Sequence, residues 1–137
     1  MRRTELREHI FKLLFMAEFN TPEEMPEQLR LYFEEMEELS PEDQAYMETK
    51  YAAVRENQSS IDEMLNRTSK GWKTTRMNRV DLSVLRLAVY ELVYDDSIPE
   101  GVAINEAVEI AKRFGGEDSR SFVNGILGRI ASEASHE

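Results

Sequence analysis

Apolar residues recur three or four positions apart along most of the chain, a spacing that places them on one face of an α-helix. The first such stripe predicts a helix over about residues 4–18. Thr21-Pro22-Glu23-Glu24 and Ser40-Pro41-Glu42-Asp43 each place a hydroxyl residue before proline and acidic residues, which is the order of a helix N-terminus with a capping box. We therefore expect the second helix to begin directly after Thr21 and the third to run from Ser40 to about Asn66.

The second half of the chain contains its most apolar helix. Between Asp81 and Tyr94, ten of fourteen residues are apolar and would point in every direction around a helix, which predicts a position in the middle of a bundle. An amphipathic helix over residues 102–114 follows a turn, and Gly115-Gly116 is expected to end it with a left-handed cap. Asp118 or Ser119 is then expected to cap the last helix.

No stretch alternates convincingly between apolar and polar residues at a period of two, so no strand is predicted. The sequence therefore predicts an all-α fold of six or seven helices. A break at Ser69-Lys70-Gly71 divides one predicted domain, residues 1–137, into halves of about 1–68 and 72–134.

Side chains that commonly carry catalysis or bind metals are few in this sequence. There is no cysteine, and the two histidines, His9 and His136, stand at opposite ends without a metal-ligand spacing. Neither a glycine-rich phosphate loop nor a nucleophile elbow is present. No apolar run approaches the roughly 20 residues that span a membrane. We expect a cytoplasmic binding module without catalysis, metal or cofactor.

The net charge of −10 conceals a segregation of charge along the chain. Residues 1–20 have a net charge of +1 and residues 67–94 of +4, whereas residues 21–66 have −10. One segment without an acidic residue contains five basic ones: Arg67, Lys70, Lys73, Arg76 and Arg79. Because screening confines the field of a charge to about 10 Å, this basic segment can attract an anion although the whole chain is acidic. A solvated linker is the alternative interpretation.

The first helix has a ridge of residues spaced by four, Arg3, Arg7, Phe11 and Phe15, beside its core stripe. Guanidinium groups followed by aromatic rings suit single-stranded RNA, since cations contact phosphates and rings stack on unpaired bases. In the alternative interpretation, the phenylalanines pack into the bundle and the arginines are solvated.

Arg86 lies inside the most apolar helix, where an unpaired charge would be costly. We expect it to reach solvent or to pair with a carboxylate, with Glu91 and Glu106 as candidates. A structural ion pair is favoured over a functional site.

Several short motifs follow one another in the second half: Val80-Asp81, LRLAVYEL over residues 85–92, Ile98-Pro99, VAINEAVEIAK over residues 102–112, Phe114-Gly115, and FVNGIL over residues 122–127. In this order and spacing, about fifty residues resemble the NusB family of bacterial transcription antitermination factors. The first half resembles that family only in length, helical character and a basic start.

The resemblance implies a fold of two small helical bundles and binding to the boxA element of nascent ribosomal RNA transcripts. It implies NusE, which is also a small-subunit ribosomal protein, as the partner, and a complex with RNA polymerase that resists termination. Asp81 falls at a position that contacts NusE in the family. The RNA-binding residues implied by position are Arg2, Arg3, Arg7, Phe15, Asp118, Arg120, Ser121 and Phe122. Family members occur as monomers and as homodimers, and the sequence does not distinguish these states.

Two features depart from the family pattern. Glu5 and Glu8 dilute the basic residues of the first helix, and Phe15 stands where tyrosine is common. Both predict weak RNA binding by the protein alone and a stronger dependence on NusE. Two alternatives stay open, a helical protein-binding adaptor without RNA binding, and the detached RNA-binding domain of a ribosomal RNA cytosine methyltransferase.

Overall fold

The computed structural model describes residues 1–135, which form seven α-helices and one short 3₁₀-helix, Thr74–Arg76. The α-helices are α1 (Arg3–Ala17), α2 (Met25–Glu34), α3 (Pro41–Glu56), α4 (Gln58–Thr68), α5 (Arg79–Val93), α6 (Glu100–Phe114) and α7 (Ser119–Ser135). No strand occurs in residues 1–135, so the predicted all-α class is confirmed. His136, which the sequence had singled out, lies outside the described residues.

The chain forms two compact units, the first over residues 1–53 and the second from Val54 onward. The division between them falls inside α3. The break in the sequence pattern at Ser69-Lys70-Gly71 is a loop within the second unit. The halves expected from the sequence, about 1–68 and 72–134, stay a prediction beside this division into compact units.

Within the first unit, α1 is the best-buried helix. Its apolar stripe is buried as predicted, and the side chains concerned are Leu6, Ile10, Leu13, Leu14 and Ala17. Nδ1 of His9 lies 2.7 Å from the hydroxyl oxygen of Tyr32, which joins α1 to α2. At the start of the chain, the terminal ammonium group donates a hydrogen bond of 2.9 Å to Oδ2 of Asp43 and joins it to α3.

The capping-box motif at Thr21 forms its two reciprocal hydrogen bonds but does not start a helix directly. The backbone N–H of Thr21 donates to Oε1 of Glu24 (2.7 Å), and that of Glu24 donates to the Thr21 hydroxyl (3.3 Å). Residues 22–24 form a turn, and α2 begins only at Met25, with Pro26 in its first turn. The predicted start of the second helix was therefore too early, because the same pair of bonds also closes a turn.

The third predicted helix, expected to continue to about Asn66, is in fact two helices. Its start is as expected, since the N–H of Asp43 donates to the Ser40 hydroxyl at 3.1 Å. At Asn57, however, the backbone leaves helical geometry with φ −100° and ψ 8°, which separates α3 from α4. Apolar residues on both sides of Asn57 keep the same spacing, so hydrophobic periodicity alone could not reveal the break.

In the second unit, α5 lies at the centre and packs against α4, α6 and α7. Every residue of α5 from Asp81 to Glu91 is buried except Tyr90, which confirms the prediction of a helix buried all round. Asn78 caps the helix, and its Oδ1 accepts a hydrogen bond of 2.8 Å from the N–H of Asp81. Even so, none of the helices in residues 1–135 combines the length and apolar character that a bilayer crossing requires.

The corner between α6 and α7 depends on Gly115, but not through a left-handed cap. Gly115 has φ −92° and ψ −175°, which is extended backbone, and Gly116 does not adopt a positive φ either. A Cβ at Gly115 would lie 2.4 Å from Oγ of Ser119 and 2.7 Å from the carbonyl oxygen of Ala111. The predicted conformation was therefore wrong, and glycine is needed here because α7 begins in close contact with the end of α6.

Arg86 forms an ion pair that the sequence did not identify. Its Nε and Nη2 donate to the two carboxylate oxygens of Asp62, on α4, at 2.9 Å each. The side chains are 8% and 22% exposed, so the pair is largely removed from water. The expectation of a structural ion pair is confirmed, with Asp62 added as a carboxylate that local spacing had not suggested.

Candidate nucleic-acid interface

The N-terminal end of α1 presents two of the predicted arginines to solvent. Arg2 precedes the helix with its side chain 89% exposed, and its Nε lies 3.4 Å from Oε1 of Glu5. The guanidinium carbon of Arg3 lies 4.1 Å from the ring centroid of Tyr46, on α3. The amino group of Lys50 lies 5.1 Å from the same centroid. Cation–π contact holds the Arg3 guanidinium in place while its edge N–H groups stay able to bind an anion.

Arg7 differs from Arg2 and Arg3 because it is buried, with 5% of its surface exposed. One turn further along the ridge, Phe11 is also buried at 3%. The ridge that sequence spacing defined thus runs into the core between its first and third members. Of the three predicted arginines, Arg2 and Arg3 are exposed to solvent and Arg7 is not.

The aromatic part of the ridge ends in a pair of partly accessible rings. Phe15 is half-buried, and its ring centroid lies 5.0 Å from that of Phe19 in an edge-to-face arrangement. Phe19 follows the end of α1 and is 63% exposed. The interpretation that rings pack into the core is confirmed for Phe11, whereas Phe15 and Phe19 together offer an accessible aromatic surface.

A second group of predicted residues surrounds the start of α7. Asp118, Arg120 and Ser121 are exposed, while Phe122 is half-buried. Between them, Ser119 is 3% exposed and its hydroxyl oxygen accepts a hydrogen bond of 2.9 Å from the N–H of Gly116. This bond fixes the first turn of α7, so the neighbouring polar side chains project from a rigid helix end.

Asp81 lies in the same groove as Asp118 and Phe122. The groove, called the acidic groove below, has a volume of about 480 Å³ and is also lined by Trp72 and Arg76. Asp81 is 6% exposed, and its Oδ2 accepts a hydrogen bond of 3.0 Å from the Asn78 amide. Its Oδ1 is buried and accepts no hydrogen bond from residues 1–135. The structure thus brings the predicted partner-binding residue beside two predicted RNA-binding residues.

The model of the NusB family matches residues 4–132 of this chain. The chain belongs to the NusB family. A relative from Lachnoclostridium phytofermentans, described as transcription antitermination protein NusB, is 47% identical over 130 residues, covering 95% of this chain and 98% of its own. The structure is similar to that of T. maritima NusB, with a TM-score of 0.86 and 40% identity over 97% of this chain and 92% of that one.

The fold also matches a NusB chain crystallised with NusE and double-stranded RNA, with a TM-score of 0.80. The two chains are 21% identical over 96% of each, so this likeness concerns the fold alone. Within residues 1–135 of our NusB-family chain, no group of three or more His, Cys, Asp or Glu side chains is arranged to hold a metal ion.

Sequence reasoning missed three aromatic residues of this NusB-family chain that the structure places at candidate surfaces. Phe19 continues the four-residue spacing of the α1 ridge and could have been found by extending it. Tyr46 and Trp72 had no such signal, because their neighbours at the surface, Arg3 and Phe122, are more than forty residues away in the sequence. Both contacts exist only in the folded chain.

Proposed function

We propose that this chain is an RNA-binding transcription antitermination factor that binds boxA-type single-stranded RNA together with NusE. In this role it helps RNA polymerase to resist termination. It acts in the cytoplasm by binding alone, without catalysis, metal or cofactor.

The observation that carries the proposal is the exposed basic end of α1. Arg2 and Arg3 stand next to each other at a helix end, and Tyr46 restrains the guanidinium of Arg3. Arginine side chains of this kind bind phosphate oxygens through paired N–H donors. The accessible rings of Phe15 and Phe19 add a surface on which unpaired bases can stack.

Family membership supports the partner. The relative from Lachnoclostridium phytofermentans is described as a transcription antitermination protein, and one NusB chain of the same fold has been crystallised with both NusE and RNA. In the present chain, the acidic groove offers a buried carboxylate oxygen of Asp81 to a donor from such a partner. Asp118 and Phe122 lie in the same groove, so RNA and NusE would meet on one surface of the second unit.

Few phosphate contacts are available at α1, so we expect the chain alone to bind RNA weakly. The exposed carboxylate of Glu5 lies 3.4 Å from Arg2 and competes with phosphate for it. On a single strand, each phosphate contact contributes about 0.7 to the slope of log affinity against log salt concentration. NusE would strengthen binding by adding contacts to the same RNA.

The test is fluorescence anisotropy of a labelled boxA-type RNA, with the chain alone and with its cognate NusE, across a salt series. We expect salt-sensitive binding that tightens when NusE is present. Replacing Arg2 and Arg3 together with Gln should weaken binding and lower the salt slope by about 1.4, equivalent to two phosphates.

Arg30 provides the matched control, because it is an exposed arginine on α2 that pairs with Glu27 and Glu34. Arg30→Gln should leave RNA binding unchanged. A chain that captures NusE but binds no RNA, with or without NusE, would instead be a protein-binding adaptor. Arg7→Gln separates a buried structural role from direct contact, since a structural role should lower stability as well as affinity.

A further inference from the structure

The basic segment Arg67–Arg79 does not form one surface in the folded chain. The guanidinium of Arg79 turns back and donates to the carbonyl oxygens of Thr74 (3.2 Å) and Met77 (2.8 Å). Arg76 lines the acidic groove, whereas Lys70 lines a second groove. The segment is therefore a structured loop, and its cations have different surroundings.

The loop is built so that Trp72 projects from it. Lys70 and Gly71 adopt left-handed backbone, with φ 40° and 97°, and the Ser69 hydroxyl donates a hydrogen bond to the carbonyl oxygen of Trp72. Two residues beyond Trp72, the N–H of Thr74 donates to Oδ1 of Asn66 at 2.8 Å. These contacts hold the loop backbone on both sides of Trp72.

Trp72 is 58% exposed although it is the largest apolar side chain in the sequence. Its ring meets that of Phe122 edge to face, with centroids 6.5 Å apart and planes at 75°. Phe122 thus supports the tryptophan on one side without covering it. Burying the indole ring would be favourable, yet the hydrogen-bonded loop keeps it exposed. This exposure indicates a surface that binds a ligand.

Trp72 and Phe122 line both the acidic groove and the second groove. The second groove, called the basic groove below, has a volume of about 320 Å³ and includes Lys70, Gly125 and Arg129. No carboxylate from residues 1–135 lines it. Nη1 of Arg129 donates to the carbonyl oxygen of Thr68 at 3.3 Å, which holds the guanidinium near the loop. Two cations therefore flank an exposed aromatic ring on this side.

We propose that Trp72 and the basic groove form a nucleotide-binding subsite for single-stranded RNA, in which a base stacks on Trp72 and its phosphate lies between Lys70 and Arg129. Aromatic rings bordered by cations are the usual means of binding unpaired nucleotides. The inference rests on the proposed function and extends the RNA surface beyond the residues implied by family resemblance. The combination of charge and ring favours RNA, since a phosphate matches the two cations and an unpaired base matches the exposed ring.

The first experiment uses Trp72 as its own reporter, because the chain contains one tryptophan. A boxA-type RNA is titrated into the full chain, and the tryptophan emission is recorded beside the anisotropy of the labelled RNA. Stacking of a base on the indole should quench the emission with the same apparent Kd as the anisotropy change. Binding seen by anisotropy without any change in emission would overturn the subsite and leave the proposed function standing.

A second experiment changes the basic groove in two ways. Trp72→Ala should weaken RNA binding about five- to tenfold, the lower range for loss of one base stack. The pair Lys70→Asn and Arg129→Gln should lower the salt slope by about 0.7, equivalent to one phosphate. Asn tolerates the left-handed backbone at Lys70, and Gln keeps a donor for the Thr68 carbonyl. Lys112→Gln, an exposed charge on α6, is the control for general charge loss.

A steric variant tests the basic groove without altering any charge. Gly125 lines the groove, and a Cβ there would meet no atom within 4 Å. Gly125→Leu should therefore fill the groove and weaken RNA binding while the helix persists. Gly128→Leu is the matched control, since Gly128 is also exposed on α7 and also has open space around its Cβ position. The subsite is supported if only Gly125→Leu weakens binding.

Equal affinities for Gly125→Leu and Gly128→Leu would overturn the subsite. If NusE without RNA quenches Trp72 and RNA does not, the ring is a protein contact and the inference is wrong. Failure of the wild-type chain to bind RNA in any condition would overturn the proposed function and the subsite together.

Discussion

Removing Asp62 should destabilise the chain more than removing any exposed carboxylate, because it removes two hydrogen bonds and a counter-charge from a buried arginine. In Asp62→Ala, Arg86 stays in the second unit with its side chain 8% exposed and loses two hydrogen bonds of 2.9 Å. Breaking a buried ion pair by removing one member commonly costs about 3–5 kcal/mol. Asp62 is 22% exposed, so water can reach part of the site, and we expect about 3 kcal/mol.

That loss is large beside the total stability of a small protein, which is about 5–15 kcal/mol. It corresponds to a fall in Tm of about 10 °C for a chain of this size. Asp62→Asn should cost less, about 1–2 kcal/mol, because the amide oxygen still accepts one hydrogen bond from the guanidinium. The order Ala below Asn below wild type distinguishes loss of a charged acceptor from loss of side-chain packing.

Urea unfolding is the appropriate assay, followed by far-ultraviolet circular dichroism and by the emission of Trp72. The tryptophan lies in the same compact unit as the ion pair, so its emission reports unfolding where the change is made. The midpoint should fall while the dependence on urea stays constant, which identifies a loss of stability rather than a change in the unfolded state.

The control is Glu27→Ala, which removes a carboxylate from the exposed pair with Arg30 on α2. Both side chains are more than half exposed, so water replaces the lost contact and no measurable change in midpoint is expected. If Asp62→Ala unfolds at the same urea concentration as Glu27→Ala, the reasoning about the buried pair is wrong.

Three further changes have clear expected results. Gly115→Ala should lower the free energy of unfolding by about 1–3 kcal/mol in urea titrations, because the added Cβ would overlap neighbouring atoms. Gly116→Ala, which has open space around its Cβ position, should leave the free energy unchanged, and equal midpoints for the two variants would refute the steric argument. Burial lowers the pKa of His9 below its ordinary 6.5, so the unfolded chain binds the proton more readily and stability should fall as pH drops from above 6.5 through the folded-state pKa. His9→Gln should flatten that dependence, and an unchanged pH profile would contradict the assignment. Tyr46→Leu removes the ring under the Arg3 guanidinium and should weaken RNA binding two- to fivefold, or about 0.5–1 kcal/mol, in anisotropy titrations, with the stability of the chain unchanged. Retained affinity would show that this contact does not assist RNA binding.

Local sequence patterns predicted most of the helices because their causes are local. The apolar content of residues 81–94 predicted the central position of α5, and the motif at Ser40 predicted the start of α3. Patterns failed where one signal has two structural outcomes. The bonds of a capping box also close a turn before α2, and uniform spacing hides the break at Asn57.

The candidate surfaces were less predictable because they depend on contacts between distant residues. Asp62 and Arg86 are 24 positions apart, and Trp72 and Phe122 are fifty apart. Spacing by four placed Arg7 on a ridge with Arg3, yet in the structure Arg7 is buried and Arg3 is exposed. A small rotation around the helix axis decides that difference, and sequence spacing does not resolve it.

The buried Oδ1 of Asp81, which accepts no hydrogen bond from residues 1–135, links the stability of the chain to its association with a partner. A buried acceptor without a hydrogen bond costs a folded protein about 1–3 kcal/mol. The isolated chain bears that cost, and a partner that supplies a donor in the acidic groove would recover it on binding. By linkage, such a partner would raise the melting temperature as its concentration rises. The chain would therefore be more stable in complex with such a partner than it is alone.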